Sequence, residues 1–292
     1  MTMTTDTTNT IMTRITVNGA ALRRAVQAVT PAASTDEARG VLCGVLIESE
    51  FEPGGSDGRI RLTATDSYRL HTATVAASVP IDGPMVVRAD ELTAAAKATK
   101  RQSTVELMSR GINLMVGPSC AHRIDGDYPN WQQLMPAWST NNVTWTPTAA
   151  QVRALEPGIR TMQARSQAVG WDIVTHKAIE KPWRTRESER EAYRDARDSG
   201  RILVHIGAGT GRVPVMQLRC DHKGREVEEL SLGVALVTGD QDALPVNLDA
   251  DYLLDALDAV GPEAQVGIRD GLKAVMIVGG DNIQALVMPV RT

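Results

Sequence analysis

Short runs of alternating apolar and polar residues recur along the chain, separated by segments with helical spacing. Residues 14–17 alternate with period two, which is typical of a strand, and Asn18 is a suitable N-cap for the segment that follows. Within residues 19–29, Leu22, Val26 and Val29 fall on one helical face. The same criteria predict strands at 41–48, 60–75 and 85–87, a helix at 91–99, a hairpin of 104–108 with 112–116, and a strand at 120–124.

The second half of the chain repeats this order of elements. The pattern predicts a strand at 142–146, a helix at 148–155, strands at 170–175, 213–219, 230–237 and 244–247, a helix at 251–260, a hairpin of 264–268 with 274–278, and a closing strand at 283–290. The sequence therefore predicts an α+β protein built from two tandem copies of one domain, each a sheet covered by two helices. The predicted divisions are a disordered lead at 1–12, domains at 13–137 and 138–292, and an insertion at about 178–211.

The insertion is rich in charges of both signs. Residues 187–198 are polar on nearly every face, which is typical of a solvated helix held by ion pairs three or four residues apart. The alternative is a basic stripe that contacts DNA or a partner, formed by Arg190, Arg194, Arg197 and Arg201. The composition favours the solvated helix.

Composition narrows the class of protein. The 292 residues suffice for two domains with separate cores, and the cysteines Cys43, Cys120 and Cys220 have no C-x-x-C spacing, which favours a reducing compartment. The N-terminal residues lack the pattern of a signal peptide, and no apolar run approaches ~20 residues, so we expect a cytoplasmic protein. The net charge of −4 argues against a conventional DNA-binding domain, which usually has a basic balance.

The sequence contains no persuasive catalytic or metal-binding set. Gly207–Gly211 resembles a phosphate-binding loop, but a strand containing Pro214 follows it rather than a helix with unpaired N–H groups. Asp125 and Asp127 precede Tyr-Pro, as in an ordinary turn, and have no third ligand nearby in sequence. We therefore expect a protein that is not an enzyme and has no cofactor or metal.

Three short motifs carry a resemblance to a known family. Thr65-Asp66-Ser67-Tyr68-Arg69-Leu70 is similar to the A-T-D-G-H-R-L signature of bacterial DNA polymerase III β sliding clamps. Residues 125–136 are similar to that family's D-G-x-F-P-D-Y-x-x-V-L-P segment, and Met288–Thr292 is similar to its M-P-M-R-L terminus. The motifs occur in family order and correspond to the second and third of the family's three domains, with no counterpart of the first.

This resemblance implies the clamp fold and a processivity function. Sliding clamps are rings of six similar domains that encircle duplex DNA without reading its sequence, so a two-domain chain implies a head-to-tail homotrimer. The short form and the Thr-rich lead indicate a phage-type clamp acting in a bacterial host cell. Two alternatives remain: a monomeric clamp-fold adaptor or decoy that binds clamp-directed peptides, and a nucleotide-binding enzyme that uses Gly207–Gly211.

The resemblance also implies a peptide-binding cleft between the second and third domains, which holds short motifs of the polymerase and the clamp loader. The matching positions are Leu42, Thr65, Ser67, Tyr68, Arg69, Leu70, Pro129, Gln133, Leu134, Asp249, Tyr252, Met288, Pro289, Val290 and Arg291. The family usually has Gly-His in place of Ser67-Tyr68 and Arg-Val in place of Gln133-Leu134. We therefore expect the cleft to prefer its own polymerase.

Two further residue sets follow from the ring expectation. The side chains expected to face DNA are Arg23, Arg24, Arg88, Lys97, Lys100, Arg153 and Arg160. The residues expected at the subunit interface are Asn113, Leu114 and Met115 on a hairpin strand, which would meet Ile159 and Met162 of the next copy. The helix at 251–260 is acidic, so its aspartates either face away from DNA or contribute repulsion that keeps the ring mobile.

Overall fold

A computed structural model describes residues 14–51, 58–80, 83–180, 202–208, 214–222, 225–234, 237–280 and 282–290. Contacts divide the chain into two compact units, Met1–Pro129 (unit 1) and Asn130–Thr292 (unit 2). The division falls after residue 129, whereas the sequence placed it after residue 137. The predicted lead at 1–12, and residues 181–201 and 209–211 of the predicted insertion, lie outside the described residues.

Unit 1 contains eight antiparallel strands in two sets of four. They are β1 (Arg14–Asn18), β2 (Gly44–Phe51), β3 (Gly58–Thr65), β4 (Arg69–Ala77), β5 (Met85–Arg88), β6 (Thr104–Arg110), β7 (Asn113–Val116) and β8 (Ser119–His122). One set has the order β1-β6-β7-β8 and the other the order β4-β3-β2-β5. Val17 of β1 pairs with Ala77 of β4, and an isolated bridge joins Val87 to Arg123, so the two sets meet at both ends.

Two helices complete unit 1. Helix α1 (Gly19–Val29) begins at Asn18, whose side chain accepts a hydrogen bond from the Ala21 N–H and so satisfies one of the unpaired donors of the first turn. Its apolar face, including Leu22, lies against β4 and β3. Helix α2 (Ala89–Ala98) buries Ala89, Leu92, Ala95 and Ala96, and contacts β8 and β5. Both helices match the sequence prediction closely.

The described residues of unit 2 form nine strands, again in two antiparallel sets. They are β9 (Val143–Trp145), β10 (Ile202–Ala208), β11 (Pro214–His222), β12 (Arg225–Val234), β13 (Val237–Gly239), β14 (Val246–Asp249), β15 (Gln265–Ile268), β16 (Val275–Val278) and β17 (Ile283–Val287). One set has the order β13-β9-β15-β16-β17 and the other β12-β11-β10-β14. An isolated bridge joins Leu248 to Pro289.

The α-helices in the described part of unit 2 are α3 (Ala149–Glu180) and α4 (Ala250–Val260). α3 continues far beyond the predicted end at residue 155, and the strand predicted at 170–175 is wrong because those residues are helical. The aromatic and β-branched residues there favour a strand locally. The buried residues Leu155, Ile159 and Met162 instead anchor a long helix that contacts β11 and β12, and this packing overrides the local preference.

Strand β10 lies inside the predicted insertion and was missed. It pairs with β11 along its full length and with β14 at Leu203–Ile206, which makes it an inner strand. Gly207 is therefore part of a strand and pairs with Val215. A glycine paired within a strand is not part of a phosphate-binding loop, which argues against the nucleotide-binding alternative. Thr210 and Gly211 lie outside the described residues.

The predicted duplication is confirmed in the pairing of the strands. The order β1-β6-β7-β8 of unit 1 corresponds to β9-β15-β16-β17 of unit 2, and β4-β3-β2-β5 corresponds to β12-β11-β10-β14. In each unit a helix follows the first strand and a second helix follows the edge strand β5 or β14. The α+β fold class is thus confirmed, and across the described ranges no helix is both long and apolar enough to cross a membrane.

Candidate functional site

The β3–β4 turn of unit 1 is held by the carboxylate of Asp66. One of its oxygens accepts hydrogen bonds from the main-chain N–H groups of Tyr68 (2.9 Å) and Arg69 (3.0 Å), and the other accepts one from the Arg69 side chain (3.1 Å). Thr65 adds a second brace, because its hydroxyl donates to the Arg69 carbonyl (2.7 Å) and accepts from the Ser67 N–H (3.1 Å). Short polar side chains thus fix the turn locally, as the sequence suggested.

Ser67 adopts a conformation that favours glycine. Its φ angle is 79°, in the left-handed region that a residue with a Cβ adopts only at a cost. The family motif has Gly at this position, so the structure explains that preference in physical terms. In this chain the hydrogen bonds of Thr65 and Asp66 hold the serine there.

The turn displays Tyr68, whose surface is 50% exposed. The guanidinium of Arg39 lies 5.7 Å from the centre of the Tyr68 ring and donates a hydrogen bond to the Asp66 carbonyl (2.6 Å). A guanidinium at that distance from an aromatic ring makes a cation–π contact. Sequence reasoning missed Arg39 because it is distant in sequence from the turn that it supports, and no local pattern marks it.

The remaining predicted site residues of unit 1 differ in exposure. Leu70 is buried at the start of β4, Leu42 is half-buried, and Pro129 is exposed at the end of the unit. Tyr128 donates a long hydrogen bond to the Thr63 carbonyl (3.4 Å), and burial raises the pKa of its phenol. The sequence motif and the structure therefore agree in bringing Thr65, Ser67, Tyr68, Arg69 and Leu70 together in one turn.

In unit 2 the predicted site residues occupy the start of α4 and the end of β17. Asp249 is the N-cap of α4 and accepts hydrogen bonds from the N–H groups of Asp251 (3.1 Å) and Tyr252 (3.2 Å). Met288 is 43% exposed. Pro289 bridges to Leu248, and the Val290 N–H donates to the Asn247 carbonyl (2.8 Å), which ties the chain end to β14.

Gln133 and Leu134 lie on a short 3₁₀ turn, Trp131–Leu134. The buried Trp131 anchors this turn, and Leu134 is 54% exposed. Arg291 lies outside the described residues. The predicted unit 2 residues therefore fall into two groups, one on this turn and one around Asp249, Tyr252 and Met288.

At least four of the seven side chains predicted to face DNA have partners within their own unit. Arg23 donates to the carbonyls of Thr99 (2.8 Å) and Gln102 (3.3 Å), where it caps the end of α2. Arg88 bonds both carboxylate oxygens of Asp90, and Arg160 pairs with Glu156. Arg153 donates from its Nε to the Ala149 carbonyl (3.0 Å). The carboxylate partners of Arg88 and Arg160 offset part of the charge that the prediction assigned to phosphate contacts.

The other three are placed differently. Lys97 and Lys100 are exposed, and Arg24 is half-buried. Basic residues near the end of α2 also suit the negative end of the helix dipole. On α4, Asp251 and Asp258 are exposed and Asp255 is half-buried, so that helix presents an acidic surface.

The structure changes the predicted subunit interface. β7, with Asn113, Leu114 and Met115, pairs with β6 on one side and β8 on the other, so it has no open edge. Gly117 (φ 56°) permits the tight turn that brings β8 back onto the hairpin. Leu114, Ile159 and Met162 are buried within their own units. These three side chains are therefore not available to a second copy.

Open strand edges lie elsewhere. Within the described ranges, β8 has a ladder only with β7, and β12 has a ladder only with β11. An edge strand presents main-chain groups that can pair with another chain. β8 and β12 are thus better candidates for an interface than β7.

The described residues contain no group of three or more metal-ligating side chains arranged to hold an ion. His71 lies directly after Leu70, but it is fully buried and its Nδ1 hydrogen-bonds the Ala28 carbonyl (2.7 Å). Burial lowers the pKa of His71 to about 4, so the ring is neutral in the fold and inaccessible to a substrate. Its position indicates a structural role.

Sequence comparison places the first unit among known domains. Residues 16–130 match the family model of the DNA polymerase III beta subunit, central domain. The beta sliding clamp of Micrococcus luteus is 32% identical over 148 residues, which are 48% of this chain and 46% of that protein. The matched region therefore covers about half the length of that relative.

Solved structures of bacterial β clamps share the fold. The DNA polymerase III beta chain of Streptococcus pneumoniae gives a TM-score of 0.65 at 19% identity, covering 96% of this chain and 65% of that one. The Pseudomonas aeruginosa sliding clamp bound to griselimycin gives 0.67 at 16% identity, covering 100% and 68%. The resemblance seen in the three motifs is confirmed, by sequence over residues 16–130 and by fold over nearly the whole chain.

Proposed function

We propose that this chain is a DNA polymerase sliding clamp, a processivity factor without enzymatic activity that encircles duplex DNA and tethers a polymerase. The observation that carries the proposal is the pair of tandem clamp-fold units, the first of which also matches the β-subunit central domain by sequence. The well-braced turn at Thr65–Leu70, with Tyr68 displayed, supports a binding role. We expect the protein to act in the cytoplasm.

Three copies of a two-unit chain supply the six domains of a clamp ring, so the proposed assembly is a head-to-tail homotrimer. The proposed contact joins the open edge of β8 in one copy to the open edge of β12 in the next. Strand pairing of this kind satisfies main-chain groups that both edges leave exposed.

Short peptide motifs of the polymerase and the clamp loader are the proposed partners of the exposed apolar side chains. Unit 1 offers Tyr68 with Arg39 beside it, and unit 2 separately offers Leu134 and Met288. An aromatic ring and a flexible thioether suit apolar peptide anchors, while the nearby guanidinium offers hydrogen bonds. Tyr68 replaces the usual histidine, which supports a preference for the chain's own polymerase.

DNA binding is proposed to be weak and independent of sequence. Lys97 and Lys100 are the exposed cations proposed to meet phosphates, whereas the arginines of the predicted set that are engaged by their own unit include Arg23, Arg88, Arg153 and Arg160. A few phosphate contacts without base contacts position a ring on DNA and still let it slide. This modest basic set is consistent with the net charge of −4.

Sedimentation over a range of protein concentrations tests the proposed assembly. We expect a species with three times the 31.5 kDa mass of the chain. A protein that stays monomeric at every concentration would contradict the ring and would favour a monomeric adaptor that binds the same peptides.

Peptide binding is tested with a short synthetic peptide that carries two apolar anchors and a fluorescent label. Tyr68→Ala should weaken its affinity about tenfold, since the ring supplies apolar area that the peptide covers. Ile112→Ala is the matched control, because Ile112 is 70% exposed on a different turn of the same unit. Equal affinities for the two variants would contradict the role of Tyr68.

A further inference from the structure

Each unit has a loop between the end of its second helix and the strand that follows, β6 in unit 1 and β15 in unit 2. The two loops can be aligned by counting from the equivalent bridge positions Val87 and Leu248. The fifteenth residue after each is Gln102 in unit 1 and Glu263 in unit 2, and both lie two residues before the next strand. The same loop position therefore carries a neutral amide in unit 1 and a carboxylate in unit 2.

A glycine from the turn after the next strand packs against each of these side chains. A Cβ on Gly117 would lie 3.0 Å from Oε1 of Gln102, and a Cβ on Gly280 would lie 3.1 Å from Oε2 of Glu263. Gly117 lies between β7 and β8, and Gly280 lies between the equivalent strands β16 and β17. The packing in three dimensions thus supports the alignment made by counting.

In unit 1 the guanidinium of Arg23 fills the space beside this loop. Its Nη1 donates to the carbonyls of Thr99 (2.8 Å) and Gln102 (3.3 Å), and to the Thr99 hydroxyl (3.4 Å). Thr99 is the C-cap of α2, so the guanidinium also meets the negative end of the helix dipole. The unit 1 position is therefore a cation site that the chain fills with its own arginine.

In unit 2 the equivalent position is a surface cleft of about 460 Å³. It lies beside the C-terminal end of α4, because a Cβ on Gly279 would meet Cγ1 of Val260 at 2.5 Å. Within the described ranges, no lysine or arginine lies within ion-pair distance of the Glu263 carboxylate. The residues that line the cleft are Thr146, Glu263, Gln265, Val278, Gly279 and Gly280.

Unit 2 lacks an internal cation here because its first helix begins later. In unit 1 Asn18 is both the last residue of β1 and the cap of α1. In unit 2 β9 ends three residues before Thr148, whose hydroxyl accepts a main-chain N–H of the first turn of α3 (3.2 Å) and so caps that helix. The arginine five residues after this cap, in the helical position of Arg23, is Arg153. Its Nε donates to the Ala149 carbonyl of its own helix (3.0 Å).

We propose that the unit 2 cleft binds a guanidinium group from outside the chain, carried by an arginine side chain of a partner protein. Glu263 places a negative charge where unit 1 has the neutral Gln102, and a guanidinium forms charge-assisted hydrogen bonds with a carboxylate. The adjoining helix end favours a cation as it does in unit 1. Thr146 and Gln265 line the same cleft and offer further acceptors. This binding site requires neither the ring nor the peptide-binding turn of unit 1.

A titration of the ¹⁵N-labelled full-length protein with N-acetyl-arginine methylamide, a blocked arginine, tests the proposal. The main-chain signals of Gly279 and Gly280 should shift, with a dissociation constant on the order of 1 mM because exposed ion pairs are weak. The signal of Gly117 should not shift, since Arg23 occupies the equivalent position in unit 1. The blocked form of citrulline, which has nearly the same shape without the charge, should bind about fivefold more weakly.

Three variants sharpen this titration. Glu263→Gln should weaken the binding of blocked arginine about fivefold, because it removes the charge and keeps the shape. Asp251→Asn is the matched control, since it removes a carboxylate from the opposite end of α4 and should leave the affinity unchanged. Arg23→Ala should empty the unit 1 position, so that the signal of Gly117 then responds to the probe.

Absence of shifts at Gly279 and Gly280 in the wild type would overturn the inference. If Arg153→Ala alone allowed binding, the cleft would be filled by the chain's own arginine, which would also contradict an external ligand. Equal affinity for the citrulline form, or no effect of Glu263→Gln, would overturn the assignment to a guanidinium. Tighter binding of free arginine than of the blocked form would overturn the partner side chain as the source and assign the cleft to the free amino acid.

Discussion

The two units share one scheme of strand pairing but present different side chains at equivalent positions. The bridges Val87–Arg123 and Leu248–Pro289 show how closely the main chains correspond. At the position before each bridge partner, unit 1 carries His122 bound to Glu91, whereas unit 2 carries the exposed Met288. Main-chain hydrogen bonds and buried apolar residues thus define the common fold, while the surface side chains at equivalent positions differ in chemistry.

The charge on the second helix also differs between the two units. Helix α2 ends near the exposed Lys97 and Lys100, whereas α4 exposes Asp251 and Asp258. A duplicated fold therefore does not imply a duplicated electrostatic surface. In the proposed ring the positive contribution to DNA binding is uneven around the hole, which keeps the attraction weak enough for sliding.

The largest expected loss of stability comes from removing the Asp66 carboxylate, which holds the unit 1 turn. Asp66→Ala should lower the free energy of unfolding by about 3 kcal/mol, because it leaves two main-chain N–H groups and the Arg69 guanidinium without their acceptor. Asp66→Asn keeps one acceptor oxygen and should lose about half as much. Urea denaturation measures both, and equal small losses for the two variants would contradict the role of this carboxylate.

Acidification should affect unit 1 strongly through His71. In the folded chain the pKa of His71 is about 4, lowered by burial, while the unfolded chain has the ordinary value of 6.5. The stabilisation is fully present above pH 6.5 and is lost as pH falls toward 4, by up to about 3 kcal/mol. Burial also lowers the pKa of His205 in unit 2, but that ring is more accessible and faces Asn247, so we expect a smaller loss there.

Hydrogen exchange resolved by unit measures this difference between neutral and acidic pH. His71→Asn is the control, because its side-chain amide can still donate to the Ala28 carbonyl but does not titrate. It should flatten the pH dependence of unit 1. A wild-type unit 1 that keeps full protection at about pH 4 would show that His71 does not contribute in this way.

A smaller loss of stability is expected at Asp249, the N-cap of α4 in unit 2. Asp249→Ala should cost about 1 kcal/mol, because the first turn of α4 loses the acceptor for two N–H groups. Asp249→Ser retains a capping oxygen and should be nearly neutral. Thermal denaturation distinguishes the two variants. If Asp249→Ala also weakens peptide binding more than Asp249→Ser, Asp249 positions Tyr252 for the peptide.

The smallest expected effect is at the strained residue of the unit 1 turn. Ser67→Gly should raise the free energy of unfolding by about 0.5 kcal/mol, since relief of the left-handed conformation slightly exceeds the entropy that glycine adds to the unfolded chain. The affinity for the peptide should be unchanged. A clear loss of stability would show that the serine hydroxyl makes a contribution beyond its backbone geometry.

Local patterns in the sequence predicted most of the regular structure. Asn18 as a cap, the hairpins at the glycine turns and the Thr65–Leu70 turn all depend on residues close in sequence, and the structure confirms them. The full length of α3 and the inner strand β10 depend instead on contacts with β11, which local propensity does not encode.

The candidate site could likewise be predicted only where it depends on residues close in sequence. The motifs identified the turn that carries Tyr68, but Arg39 beside it became apparent only in three dimensions. The partners of Arg23 and Arg88 likewise depend on how helix ends meet, so charge counting overestimated the number of cations available to DNA. The prediction placed the open edge on β7. The turn at Gly117 adds β8 beyond β7, so β7 is an inner strand.

Retention on circular DNA tests the central claim most directly. The protein is assembled on nicked circular duplex DNA, moved to high salt to suppress simple phosphate contacts, and then treated with a nuclease that makes one double-strand cut. A closed ring should stay on the intact circle and be lost once the DNA is linear, because it slides off the ends. Loss from circular and linear DNA at the same rate would contradict the proposal that this chain encircles DNA.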